Sequence, residues 1–210
     1  MIADYRLAPA AKFPEPVEDI RDALAWFILN PLTVLSACPS GPIPQDKMGL
    51  GKIFVMAHSA GANHVATLYL SPTLLPLTSP VRAATRGLIP QGGAYKFDFS
   101  QPGLPPSVLE GYYGSQEAVL ENMPVALLEK ASEELIKGLP EVFVLRSERE
   151  PPLIKAGNDE FVKTLGERRG EAIKYEIMDG HNHISPHWAL LSGQGEEWGE
   201  AVAAWVKARV

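Results

Sequence analysis

Apolar positions along the chain fall into two alternating patterns. Val17, Ile20, Leu24, Phe27 and Ile28 recur at helical spacing. Pro16 stands at the first turn of that predicted helix, Glu18 and Asp19 sit near its positive end, and Pro31 stops it. Lys52 to Met56 is short and apolar without alternation, which predicts a buried strand. Ala62, Val65, Ala66 and Tyr69 then mark one face of a helix ended by Ser71-Pro72. Gly87-Leu88-Ile89 is the next candidate strand, and Val142 to Leu145 reads as another buried one. Ile154, Phe161, Val162 and Leu165 predict a helix over 153–168. Ile173, Tyr175 and Ile177 alternate with Lys174 and Glu176, the pattern of a strand covered on one face. A loop over Asp179–Pro186 follows, and Trp198, Ala201, Val202 and Trp205 mark a last helix.

The remaining segments are less periodic. Residues 1–6 read as a short strand, and Pro9, Pro14 and Pro16 hold an extended connection after it. Residues 36–50 form a loop rich in Pro and Gly. Residues 95–138 are irregular, with a helical stretch from Pro124 through Leu127, Leu128, Leu135 and Ile136. Strand and helix in alternation predict an α/β fold, a mostly parallel sheet with helices on both faces. Ligands in such sheets gather at the carboxyl ends of strands. Ser59, the loop after Leu145 and the loop after Met178 would share that edge.

Composition narrows the picture. The 210 residues suit one domain, and 46% hydrophobic content supports a packed core. A net charge of −6 without a Lys/Arg cluster argues against nucleic acid and anionic membranes as partners. No stretch has the length of a membrane span, and the first residues lack the apolar core of a secretory signal. Cys38 is the lone cysteine, has no obvious partner and fits a reducing, cytoplasmic setting.

The chemistry centres on Ala57-His58-Ser59-Ala60-Gly61, between a predicted strand and a predicted helix. Gly-x-Ser-x-Gly in that setting is a nucleophile elbow, a strained turn whose neighbours must be small. Ala57 replaces the first glycine. The alternative is a tight turn with an ordinary serine. As an elbow it would offer the Ala60 amide to an oxyanion, aided by the helix N-terminus. A serine nucleophile needs a base and an orienting acid. His181, His183 and His187 follow the last strand, where the base belongs, and His183 is the choice among them. His58 and His64 lie too near Ser59 in sequence to turn back onto it. The acid should follow Leu145, so Glu148 and Glu150 both qualify. Pro151 stiffens the turn beside Glu150 and favours it, while Asp159 and Asp179 are poorer candidates. No metal-ligand set or phosphate loop is apparent, so no cofactor is expected.

Asp4-Tyr5-Arg6-Leu7-Ala8-Pro9, Phe13-Pro14, Glu18-Asp19, His58-Ser59-Ala60-Gly61, Tyr112-Tyr113-Gly114 and Glu150-Pro151 follow one another along nearly the whole chain. This series resembles the hormone-sensitive-lipase-like branch of the α/β-hydrolases. The resemblance implies an α/β-hydrolase fold with a cap-like insertion at about 95–138. It also implies a triad of Ser59, Glu150 and His183 cleaving small carboxylic esters through an acyl-enzyme. Tyr112 and Tyr113 would line the substrate pocket, or else pack the cap's own core. The Ser-Ala-Gly-Ala and Gly-His-x-His strings are similar to those of arylformamidases, which leaves a formyl-anilide amidase as an alternative.

Departures from the family bear on activity. Its acid is usually Asp. Its His-Gly-Gly-Gly oxyanion loop and first three strands lie upstream of the Asp-Tyr-Arg-Leu-Ala-Pro string, so a chain starting there is expected to lack them. Ile53–Met56 would then form an apolar edge unless residues 1–6 pair with it. Loss of one oxyanion donor costs on the order of 10²–10³ in turnover, so a weak or inactive remnant of the fold is a third reading.

Overall fold

The computed structural model describes residues 1–30, 52–100 and 103–210. Cys38 and the loop expected over 36–50 lie outside the described residues. Four parallel strands form one sheet in the order β1-β2-β3-β4: Ile53–His58, Thr85–Gln91, Glu141–Arg149 and Lys174–Asn182. Helix α1 spans Glu15–Leu29 and α2 spans Ala60–Leu70, directly after β1. A short α3, Pro80–Ala84, leads into β2. Between β2 and β3 lie α4 (Pro106–Tyr113), α5 (Gln116–Asn122), α6 (Pro124–Lys130) and α7 (Glu133–Lys137). Helix α8 (Pro152–Arg169) joins β3 to β4, and α9 (Ser185–Ala189) and α10 (Glu197–Lys207) complete the chain.

Alternation along the strands assigns the two faces. Val55, Leu88, Val142 and Val144 face a core with α1, α2, α6 and α8, through Val17, Leu24, Val65, Tyr69, Leu128, Phe161 and Leu165. Phe54, Ile89, Phe143, Leu145 and Met178 face the opposite way, onto Trp198 and Trp205 of α10. Parallel strands buried on both faces read as unbroken apolar runs, which is why Val142–Leu145 showed no alternation.

Several expectations are corrected. Residues 1–6 form no strand. Arg6 instead ties them to α1, with Nε 3.0 Å from one carboxylate oxygen of Asp19, Nη2 2.9 Å from the other, and Nη1 3.1 Å from Glu15. The helical stretch from Pro124 is two helices, parted where Ser132 caps α7 by accepting from the Leu135 N–H. Of the residues 95–138 expected as one insertion, α4 and α5 gather a small core of Phe97, Leu109, Tyr113 and Val119. Val125 and Leu128 of α6 and Ile136 of α7 belong to the main core. Strand β4 also runs four residues further than predicted, to Asn182. It does so through a bulge: Ser147 pairs with Met178, but Arg149 pairs with Asn182. Gly180 turns there with a φ of 71°.

Gly87 marks where α10 lies closest to the sheet. A Cβ there would stand 2.5 Å from Trp205 Cη2 and 2.7 Å from Phe54 Cδ1. Gly87→Ala is expected to lower the unfolding free energy by about 1–3 kcal/mol, the usual cost of overpacking. A urea denaturation curve checks this, and an unchanged midpoint would mean that α10 can retreat freely.

Candidate active site

The register of the sheet brings four chain segments to one edge. His58 pairs with Gln91, Gln91 with Leu145, and Arg149 with Asn182. The residues that follow β1, β3 and β4, namely Ser59, Glu150 and His183, therefore leave the sheet side by side.

Ser59 has φ 54° and ψ −121°, a conformation that costs an L-residue about 1–3 kcal/mol. Its N–H donates to the Gln91 carbonyl at 2.9 Å, prolonging the β1–β2 ladder. Its own carbonyl accepts from the Asn63 N–H at 3.1 Å and so opens α2. The turn thus belongs to both elements at once. The turn is uncrowded at position 61, where even a Cβ would meet Ala57 Cβ only at 3.9 Å. The Ala60 amide lies in the first turn of α2, where backbone N–H groups have no intrahelical acceptor.

His183 Nε2 stands 2.8 Å from Ser59 Oγ, and its Nδ1 stands 2.6 Å from Glu150 Oε2. The Glu150 side chain is fully buried, while that of His183 is 27% exposed. Gly92 makes room for this contact: with φ 54° it passes so close that a Cβ would lie 2.7 Å from Glu150 Oε1. No donor among the described residues meets Glu150 Oε1. The buried carboxylate depends on His183, and a positive charge there stabilises it most.

The other acids are engaged elsewhere. Glu148 Oε2 accepts the Gly180 N–H at 2.8 Å, satisfying the β4 bulge. Asp159, within α8, accepts from the Tyr175 hydroxyl of β4 at 2.6 Å. Asp179 is exposed. Among the histidines, His181 is buried, with Nε2 2.6 Å from the Gly195 carbonyl and Nδ1 3.0 Å from Ser185 Oγ. His187 is exposed and touches the His58 ring, with centroids 4.4 Å apart.

Two histidines set aside on sequence grounds do reach the site. His58 Nε2 lies 2.8 Å from the His183 carbonyl. His64 lines the cavity that opens beside Ser59, with Nδ1 3.4 Å from the Tyr112 hydroxyl. The signal for His58 was its place at the end of β1, next to the serine. Burial, then the nearby His187 and His183, push the His58 pKa down to about 4, and burial alone does the same for His64.

That cavity holds about 640 Å³. Tyr5 and Leu7 form part of its wall, as do Phe97, Leu109 and Leu153, so it is mostly apolar. Tyr112 and Tyr113 both line it. Tyr113 is the more committed to packing: it is buried in the small α4–α5 core, its hydroxyl 3.4 Å from Asn63 Oδ1. Among the described residues no group of three or more His, Cys, Asp or Glu side chains is arranged to hold a metal ion. No described helix is long and apolar enough to cross a membrane.

A model of the alpha/beta hydrolase fold family matches residues 1–186, and the chain belongs to that family. This agrees with the resemblance carried by the Asp4–Pro9 and His58–Gly61 strings. No curated protein matches the chain. Among solved structures, esterase B from Lactobacillus rhamnosis superposes with a TM-score of 0.69 at 13% identity, over 97% of this chain and 64% of that one. A fungal esterase from Rhizomucor miehei gives 0.66 at 21% identity, over 98% and 63%. Carboxyl esterase 2 from the mycorrhizal fungus Tuber melanosporum gives 0.66 at 17% identity, over 98% and 66%. The chain therefore spans less than two thirds of the length of these structures, and the likeness is one of fold.

Between about pH 6.5 and about pH 4 the unfolded chain protonates histidines that the folded chain keeps neutral, so stability falls with pH in that window. From about pH 7 to about pH 5 the wild type should lose more stability than His64→Leu, read by urea midpoints; equal losses would place His64 in water. Gly92→Ala must adopt a positive φ and displace Glu150 Oε1, at an expected cost of about 1–3 kcal/mol in the same assay.

Proposed function

We propose that the chain is a serine hydrolase of carboxylic esters, with Ser59 as nucleophile, His183 as general base and Glu150 as the acid that orients it. The observation that carries this reading is the unbroken chain Ser59 Oγ–His183 Nε2, 2.8 Å, and His183 Nδ1–Glu150 Oε2, 2.6 Å, mounted on a serine at φ 54°. Membership of the alpha/beta hydrolase fold family and the esterases among its structural neighbours support it.

In this mechanism His183 Nε2 takes the Ser59 proton as Oγ attacks the ester carbonyl. The developing oxyanion is met by the Ala60 amide at the start of α2. Glu150 fixes the tautomer with the proton on Nδ1 and stabilises the imidazolium. His183 then protonates the leaving alcohol. In the second half it activates water, which releases the acid and restores Ser59. The apolar cavity beside Ser59 receives the acyl or alcohol group, with Tyr112 in its wall.

Fluorophosphonate labelling of the purified chain and turnover of p-nitrophenyl esters test the assignment together. Ser59→Ala should abolish labelling. Ser59→Ala and His183→Ala should each lower kcat by about 10⁴- to 10⁶-fold, and Glu150→Ala by a smaller factor. A folded wild-type chain that neither labels nor turns over would sink the reading. A formyl-anilide in the same panel separates ester from formamide hydrolysis.

A further inference from the structure

We infer that His58 is a positioning residue for the base: its Nε2–H donates to the main-chain carbonyl of His183, so that two consecutive residues of the elbow hold His183 at two points. The inference rests on the reading of His183 as base. His58 Nε2 lies 2.8 Å from the His183 carbonyl oxygen, and Ser59 Oγ lies 2.8 Å from His183 Nε2. One contact fixes the backbone of residue 183 and the other its ring. Since a carbonyl oxygen can only accept, His58 must carry its proton on Nε2.

The surroundings hold His58 in that role. Its ring stands 4.6 Å from the His183 ring and 4.4 Å from that of His187, measured between centroids. The rest of the histidine loop is tied to itself, to Gly195 and to Glu148 at the end of β3: Asn182 Oδ1 accepts from the Ile184 and Ser185 N–H groups, His181 bonds Ser185 and Gly195, and the Gly180 N–H donates to Glu148. Those bonds shape the loop without fixing its distance from β1. Among the described residues, the hydrogen bonds that reach His183 from outside its loop come from His58, Ser59 and Glu150. Burial keeps His58 neutral at ordinary pH. A cation there would oppose the imidazolium that forms on His183.

The test compares His58→Phe, which keeps a ring between His183 and His187 but has no donor, with His58→Gln, which keeps an N–H donor. His58→Phe should lower kcat about 10- to 100-fold with KM changed less than about twofold, the signature of a displaced base. His58→Gln should recover most of that loss. Wild-type kcat in His58→Phe, or equal losses in both variants, would overturn the proposal. A second measurement needs no variant to fold: nitrogen-detected NMR of the wild type should find the Nε2–H tautomer at His58, and the Nδ1–H tautomer would overturn the clamp. A wild type that neither labels nor turns over esters would instead remove the catalytic reading of Ser59, and the tautomer would still decide whether His58 holds the loop.

Discussion

The backbone of Ser59 is held at a positive φ by bonds on both sides, and the rest of the site depends on that hold. Upstream, its N–H closes the β1–β2 ladder on Gln91; downstream, its carbonyl starts α2. Asn63 adds a third tie, its side-chain amide 2.6 Å from the Ala94 carbonyl in the segment after β2. A strain of about 1–3 kcal/mol persists only where the surroundings over-determine the conformation. Here they do, because β1 and α2 are anchored in the main core through Val55, Val65 and Tyr69. That conformation leaves Ser59 Oγ 2.8 Å from His183 Nε2, with the first turn of α2 directly after it.

The buried carboxylate is the second consequence of that arrangement. Glu150 lies at the end of β3 in a setting that excludes water, and His183 is its polar partner. Such a group contributes little to stability, since desolvation opposes the attraction. Glu148, two residues earlier, has the same functional group and none of this character. It caps the Gly180 amide of the β4 bulge and stays half in water. The bulge lengthens β4 locally, so that His183 leaves the sheet opposite Glu150 and Ser59.

The N-terminal segment, helix α4 and the start of α8 supply much of the wall of the cavity. Arg6 pins the segment to α1 through Asp19 and Glu15, and this places Tyr5 and Leu7 beside Ser59. The Asp-Tyr-Arg string and the Glu18-Asp19 pair meet here in the contact between Arg6 and Asp19, thirteen residues apart in the chain. These walls are apolar for the most part, and two of their polar side chains, His64 and Tyr112, lie against each other.

By itself the sequence determined the order of the main strands and helices, the place of Ser59 between a strand and a helix, and the stretches after Leu145 and Met178 as the candidate sources of its partners. These are local matters: apolar runs, helical spacing, proline stops and a serine between small residues all act within a few positions along the chain. It also favoured Glu150 over Glu148, through the adjacent Pro151. Tertiary structure decided what depends on meeting across the chain. It placed His183 rather than His181 or His187 on Ser59, used up Glu148 at the bulge, and brought His58 against the His183 carbonyl over 125 residues of separation. It also turned residues 1–6 from an expected strand into a wall held by Arg6. A strand needs a partner, and whether one is in reach is a property of the packed fold, invisible to any short window of sequence.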